Sequence, residues 1–160
     1  MNNSNIVRQI IDANKFLTLA TTDGNSPWAS TLFFAVDDRL DLFYTSYNDS
    51  VHVKNITRNP EVALVIFDSH AIPGKTTQGV QIKGRCMRVA GEELEKAIET
   101  VYLKRFPDPV ERLKHDLTAE FFSKPDNERV AHIYKITPEK FYILDKKAGK
   151  DTRAEVDMGI

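Results

Sequence analysis

The residues best suited to chemistry sit close together between Phe43 and Leu64. An apolar run ends in Tyr44-Thr45-Ser46, and Ser50-Val51-His52-Val53-Lys54 opens a helical pattern directly after it. A strand that ends in hydroxyl residues and leads into a helix gathers free backbone N–H groups and the positive helix end in one place. Such a place suits an anion, phosphate above all. Thr45, Ser46 and Ser50 add hydroxyl donors, and His52 and Lys54 add charge. Ordinary capping explains the same residues: Ser50 or Asp49 as the helix N-cap, Thr45 and Ser46 as turn residues. The pattern by itself leaves both readings open.

Other reactive side chains are isolated. Cys86 is the single cysteine and falls in a β-patterned stretch, so it reads as a small buried hydrophobe rather than a nucleophile. Asp68 and His70 lie two apart, but two ligands do not make a metal site, and both read as surface polar residues. His115 falls in a charged helical segment, and His132 has no partner near it in sequence. There is no phosphate loop, no Gly-x-Gly-x-x-Gly, no Gly-x-Ser-x-Gly elbow and no His-Glu-x-x-His.

The elements that must position these residues follow from periodicity. Ile6, Val7, Ile10 and Ile11 share one face of a first helix, with Ser4 as its expected N-cap. Phe16–Thr22 alternates as a strand and ends in the turn Asp23-Gly24-Asn25. A second strand is expected from Pro27 through Val36, and a third over Leu40–Ser46 after Asp37-Asp38-Arg39. A short helix, Ser50–Asn59, stops at Pro60. Glu61–Ser69 is an apolar strand expected to be covered on both faces. After a loop containing Pro73-Gly74, Gln78–Ala90 reads as a long strand with Gly84 as a bend or bulge.

Helical periodicity returns over Glu92–Phe106 and again over Val110–Phe122, the second with Leu113, Leu117 and Phe121 at spacing four. Two last strands, Val130–Thr137 and Phe141–Leu144, meet at Pro138, and Lys146–Ile160 is expected to be loose. The sequence leaves open whether Phe16, Trp28 and Phe34, aromatics on alternating strands, face a ring or the core; core packing is the default expectation. Six or seven strands with short antiparallel links give a mainly β (α+β) domain, an antiparallel barrel with peripheral helices, over residues 1–160 as one unit.

Composition excludes several classes. Lys plus Arg is 22 against 23 Asp plus Glu, a formal charge of −1 that offers no polyanion footprint. No nucleic-acid partner and no membrane partner are expected. The longest apolar run, Val62–Phe67, is too short to span a bilayer. The N-terminal residues carry no basic region followed by an apolar core, and one cysteine fits a reducing compartment, so a cytoplasmic location is expected.

The order of elements resembles the pyridoxamine 5'-phosphate oxidase-like FMN-binding split barrels. The resemblance rests on Tyr44-Thr45 at a strand end, Ser50-Val51-His52 at a helix start, and Asn59-Pro60 before Glu61-Val62-Ala63-Leu64. Pro27–Val36 is similar to that family's strand beside the flavin, and Gly79-Val80-Gln81-Ile82-Lys83-Gly84 to its long strand. It covers roughly Phe16–Ala90, with a weaker echo in Tyr134–Pro138, and is nearest to small, uncharacterised bacterial members.

The resemblance implies a homodimer of split β-barrels with FMN in grooves between subunits. Carried onto matching positions, Ala29, Ser30, Thr31 and Leu32 run along the flavin by their backbone, and Tyr44, Thr45 and Ser46 flank it. Ser50 and His52 approach the phosphate, and Gln81 or Gln78 offers an amide to the ring's polar edge. The chain departs from the oxidase pattern at three places. Ala29 replaces an Arg, Val51-His52 replace an Arg-Lys pair, and Gly79 replaces a Gln. Pyridoxamine phosphate oxidation is therefore not implied. The expected function is an FMN-binding oxidoreductase-like protein for an unknown small molecule. The alternative is a non-catalytic binding protein for haem, flavin or another small ligand, with His52, His70 and His132 as candidate haem ligands.

Overall fold

The computed structural model describes residues 2–70, 79–112, 114, 118–145 and 152–159. The chain opens with helix α1, Asn3–Ala13, followed by strand β1, Phe16–Thr22, and strand β2, Pro27–Phe33. Strand β3, Ala35–Val36, and strand β4, Leu42–Tyr47, precede helix α2, Val51–Arg58. Strands β5, Glu61–Phe67, and β6, Gly79–Arg88, lead to helices α3, Glu93–Arg105, α4, Pro109–Arg112, and α5, Ala119–Phe122. Strands β7, Ala131–Asp145, and β8, Thr152–Val156, complete the order.

All strand pairs are antiparallel, in the order β2-β1-β5-β6-β7-β4-β3, with β8 added on β7. The sheet curls into a split barrel, and one short segment accounts for the closure. Phe16↔Phe33 through Thr22↔Pro27 pair β2 with β1 at one end of the sheet. Two residues later Ala35↔Phe43 and Val36↔Leu42 pair β3 with β4 at the other end. Phe34, fully buried, is the hinge between them, and its N–H donates to Lys15 O at 3.1 Å. The expected single strand Pro27–Val36 is therefore two strands, because its halves serve opposite sheet edges.

Alternation sets the interior. Leu17, Leu19, Val62, Leu64, Ile66, Val80 and Ile82 all point inward, and α1 lays Val7, Ile10 and Ile11 onto them. A second cluster forms outside the barrel, where Leu94, Ala97 and Val101 of α3 and Phe122 of α5 cover Phe43 and Ile133.

Several expectations are corrected. Asn2, not Ser4, caps α1, its Oδ1 accepting from Ser4 N at 3.3 Å. The final strands form one, because Pro138, which has no N–H to lose, sits at a bulge opposite Gly84. Thr152–Val156 is not loose but pairs with Phe141–Asp145. The expected helix Val110–Phe122 is instead two short pieces, and Leu113, His115 and Leu117 lie outside the described residues, as do Pro73, Gly74 and Gln78. Phe34 is core, but Phe16 and Trp28 are 57% and 48% exposed. β5 is covered on one face only: Val62, Leu64 and Ile66 are buried while Ala63 and Phe67 are exposed. No helix among the described residues is long and apolar enough to cross a membrane.

Candidate ligand-binding site

The split in the barrel lies between β2, which pairs only with β1, and the Tyr44–Tyr47 stretch of β4, which β3 leaves uncovered. Side chains bridge this seam where backbone pairing stops. Ser30 Oγ of β2 lies 3.1 Å from Nδ1 of His52, and Ser46 Oγ of β4 lies 2.8 Å from its Nε2. Trp28 Nε1–H donates to Ser30 Oγ at 3.0 Å, and Ser46 Oγ and Ser50 Oγ lie 3.2 Å apart. Trp28, Ser30, Ser46, Ser50 and His52 thus form one connected polar cluster. On the other side of the sheet, Arg105 of α3 donates to Thr45 Oγ1 at 3.2 Å and lies 5.6 Å from the centre of the Phe33 ring.

α2 begins at this cluster. Ser50 is the N-cap, yet its side chain makes no bond to the helix. The N–H groups of Val51, His52 and Val53 consequently have no acceptor among the described residues. The open helix end and three hydroxyl groups face the same space, which is a donor set suited to an oxyanion. Charge is scarce there. His52 is buried, and that burial holds its imidazole below the usual histidine range, so the ring is neutral at neutral pH.

The other expected site residues are dispersed. Leu32 is half-buried against the barrel interior. Ala29 and Thr31 are exposed on the outer sheet face, where Thr31, Thr18, Val65 and Gln81 align across four strands. Gln81 is thus three strands from the seam in one protomer, and its Oε1 accepts from Arg153 Nε at 3.0 Å. Tyr44 turns into the core, stacked on Tyr134 with ring centres 5.4 Å apart. Its hydroxyl lies 3.3 Å from Cys86 Sγ, and burial pushes that thiol up to about 12, so Cys86 is an inert core group.

Arg105 and the Asp126 partner of His132 escaped the sequence reading. Arg105 is 60 residues from Thr45 in an ordinary charged helix, and no local signal marks it. His132 is fully buried, with Nδ1 2.8 Å from Phe122 O and Nε2 2.6 Å from Asp126 Oδ1. Its hydrogen bond holds the Asp126 carboxyl below the usual carboxylate range. Of the three candidate haem ligands, His52 and His132 have both ring nitrogens engaged, whereas His70 is almost fully exposed. Among the described residues no cluster of three or more His, Cys, Asp or Glu residues is placed to hold a metal ion.

A curled antiparallel half-barrel with an open seam and a helix starting at that seam defines the split-barrel class. Residues 6–145 match the pyridoxamine 5'-phosphate oxidase family, and the chain belongs to it. A UPF0306 protein of Pasteurella multocida is 31% identical over 97 residues, a match spanning 56% of this chain and 62% of that relative. The fold is similar to a putative pyridoxamine 5'-phosphate oxidase from Listeria innocua, with TM-score 0.63, 21% identity, and coverage of 89% of this chain and 98% of that one. It is also similar to a heme binding protein from Mycobacterium smegmatis, with TM-score 0.70, 16% identity, and coverage of 99% of this chain and 59% of the other.

Proposed function

We propose that this chain is a flavin-binding, oxidoreductase-like protein that holds FMN along the seam and acts on a small molecule as a homodimer. The observation that carries the reading is the unsatisfied start of α2 beside Ser30, Ser46 and Ser50. The residues fit the phosphate through neutral donors: three backbone N–H groups and three hydroxyls. The free edge of β2 offers unpaired N–H and C=O groups from Ala29 to Leu32 to the polar edge of a planar ring. Bound FMN would supply two-electron transfer, while the protein binds, orients and keeps water from the ring. Arg105, held by Thr45 and Phe33, is a cation on the seam's outer side and supplies charge that Ala29 and Val51 do not.

The outer sheet face supports the homodimer part of the reading. Phe16, Ala29, Thr31, Ala63 and Phe67 form an exposed uncharged patch on the outer face of β2, β1 and β5, bordered by Glu61, Lys83 and Arg85. A second copy of the chain would bury that patch. The test is the absorption spectrum of the purified chain together with titration by FMN and riboflavin. A flavin spectrum, or FMN bound at least tenfold more tightly than riboflavin, is expected. No spectral change at millimolar FMN refutes the proposal.

Haem is the second reading, favoured by one feature. His70 is almost fully exposed, and its Nε2 has no partner among the described residues. If haem is the cargo, His70→Ala removes the Soret band, whereas His52→Ala and His132→Ala leave it in place.

A further inference from the structure

A cleft of about 570 Å³ opens between α2 and the ends of β6 and β7, and His52 does not line it. That volume is in the range of small-molecule sites. Val53, Ile56 and Pro60 form an apolar wall, and Cys86 and Tyr134 lie at its base. Tyr134 is only 4% exposed, and its hydroxyl, with no hydrogen-bond partner among the described residues, is the part that solvent reaches at the cleft. The ring is fixed by stacking on Tyr44. A buried phenol with its hydroxyl left open toward a cleft is a donor waiting for an acceptor.

The rim carries Arg85, Arg88 and Asp126, a net charge of +1. Asp126 is already engaged by Arg88 at 3.1 Å and by His132 at 2.6 Å. Arg85 is engaged by Glu61, which lies outside the cleft lining. Arg88 uses Nη1 on Asp126, and its remaining guanidinium donors are left beside Tyr134, its partner across β6 and β7. A dianion would meet the Asp126 carboxylate at the same rim, so the balance favours one negative charge.

We propose that this cleft is a binding site, separate from the seam, for a small carboxylate with an apolar body. The carboxylate is held by Arg88 and Tyr134, and the body lies against Val53, Ile56 and Pro60. Arg guanidinium matches a carboxylate in two-point geometry, and the phenol adds a third donor. Burial pushes the Tyr134 hydroxyl up to about 12, so it remains a donor at neutral pH. The site does not depend on flavin binding.

The test is calorimetric titration of the full chain with 2-naphthoate and its uncharged analogue 2-naphthamide. Saturable binding of 2-naphthoate is expected, with 2-naphthamide at least tenfold weaker. Arg88→Gln should weaken 2-naphthoate about tenfold or more and leave 2-naphthamide unchanged, and Tyr134→Phe should weaken 2-naphthoate about threefold. Saturating FMN should not displace it. Absence of binding at millimolar 2-naphthoate overturns the proposal. So does equal affinity for the Arg88→Gln protein, or displacement by FMN, which would place the probe in the seam. The half-exposed Arg88 side chain makes that variant decisive even if Tyr134→Phe fails to fold.

Discussion

Ser46 Oγ lies 2.8 Å from His52 Nε2, and through that imidazole the two facing edges of the split barrel are tied together. The ring does this while buried, and burial lowers its pKa from 6.5. Well above pH 6.5 the ring is neutral whether the chain is folded or unfolded, and it contributes no pH dependence there. Below that, the unfolded chain binds the proton first, so stability falls until the folded ring titrates too at its lower value. The unfolding temperature should drop between pH 7 and 5, and His52→Gln should flatten that part of the profile. An unchanged slope in the variant would show that His52 is not the group responsible.

If FMN is held at the seam, charge at the start of α2 should set the affinity for its phosphate. Val51 occupies the first turn and is 43% exposed, so a longer side chain fits without disturbing the core. Val51→Arg restores one cation of the family pattern. A hydrogen bond to a charged group contributes about 1.5–3 kcal/mol, so FMN should bind about tenfold more tightly or better. Riboflavin, which lacks the phosphate, should bind unchanged in the same fluorescence titration.

Gly84 and Pro138 face each other at the β6–β7 irregularity. A Cβ at position 84 would come within 2.5 Å of Thr137 O and 3.1 Å of Pro138 Cα, both backbone atoms that cannot rotate away. Gly84→Ala should destabilise the chain by about 1–3 kcal/mol, as overpacking does. Chemical denaturation reads this as a lower midpoint. A midpoint equal to that of the unmodified chain would mean that the strands separate there at little cost.

That bulge also shows what the sequence made legible. Gly84 and Pro138 both mark it, because each breaks a local rule that a paired strand obeys. The same holds for Asn59-Pro60 at the end of α2, and for Asp23-Gly24-Asn25, where Asp23 Oδ1 accepts from Asn25 N at 2.9 Å and Ser26 N at 2.8 Å. Ser46, Ser50 and His52 were legible as a group because they are neighbours in the chain. Arg105 over Thr45 and Asp126 on His132 were not, since hydrogen bonds made by tertiary packing leave no local pattern. Phe16 and Trp28 misled for a related reason. Alternation tells which residues share a face, and only the assembled sheet tells which face is covered.

The uncovered face yields the last prediction. Ala20, Ala29 and Ala63 lie side by side across β1, β2 and β5, with Thr18, Thr31 and Val65 in the next row. Small, uncharged side chains on exposed neighbouring strands allow another sheet to approach closely, and a lone monomer gains nothing from them. A charge placed among them is solvated in a monomer and stranded in a dimer. Ala63→Arg, at an exposed position, should therefore leave the fold and its unfolding temperature nearly unchanged while halving the solution mass measured by light scattering. If the seam is completed by the partner, the same variant should also weaken FMN binding, although Ala63 is two strands from β2. A variant that stays dimeric would show that the copies associate through another surface. One that becomes monomeric yet binds FMN with full affinity would show that a single chain provides the whole site.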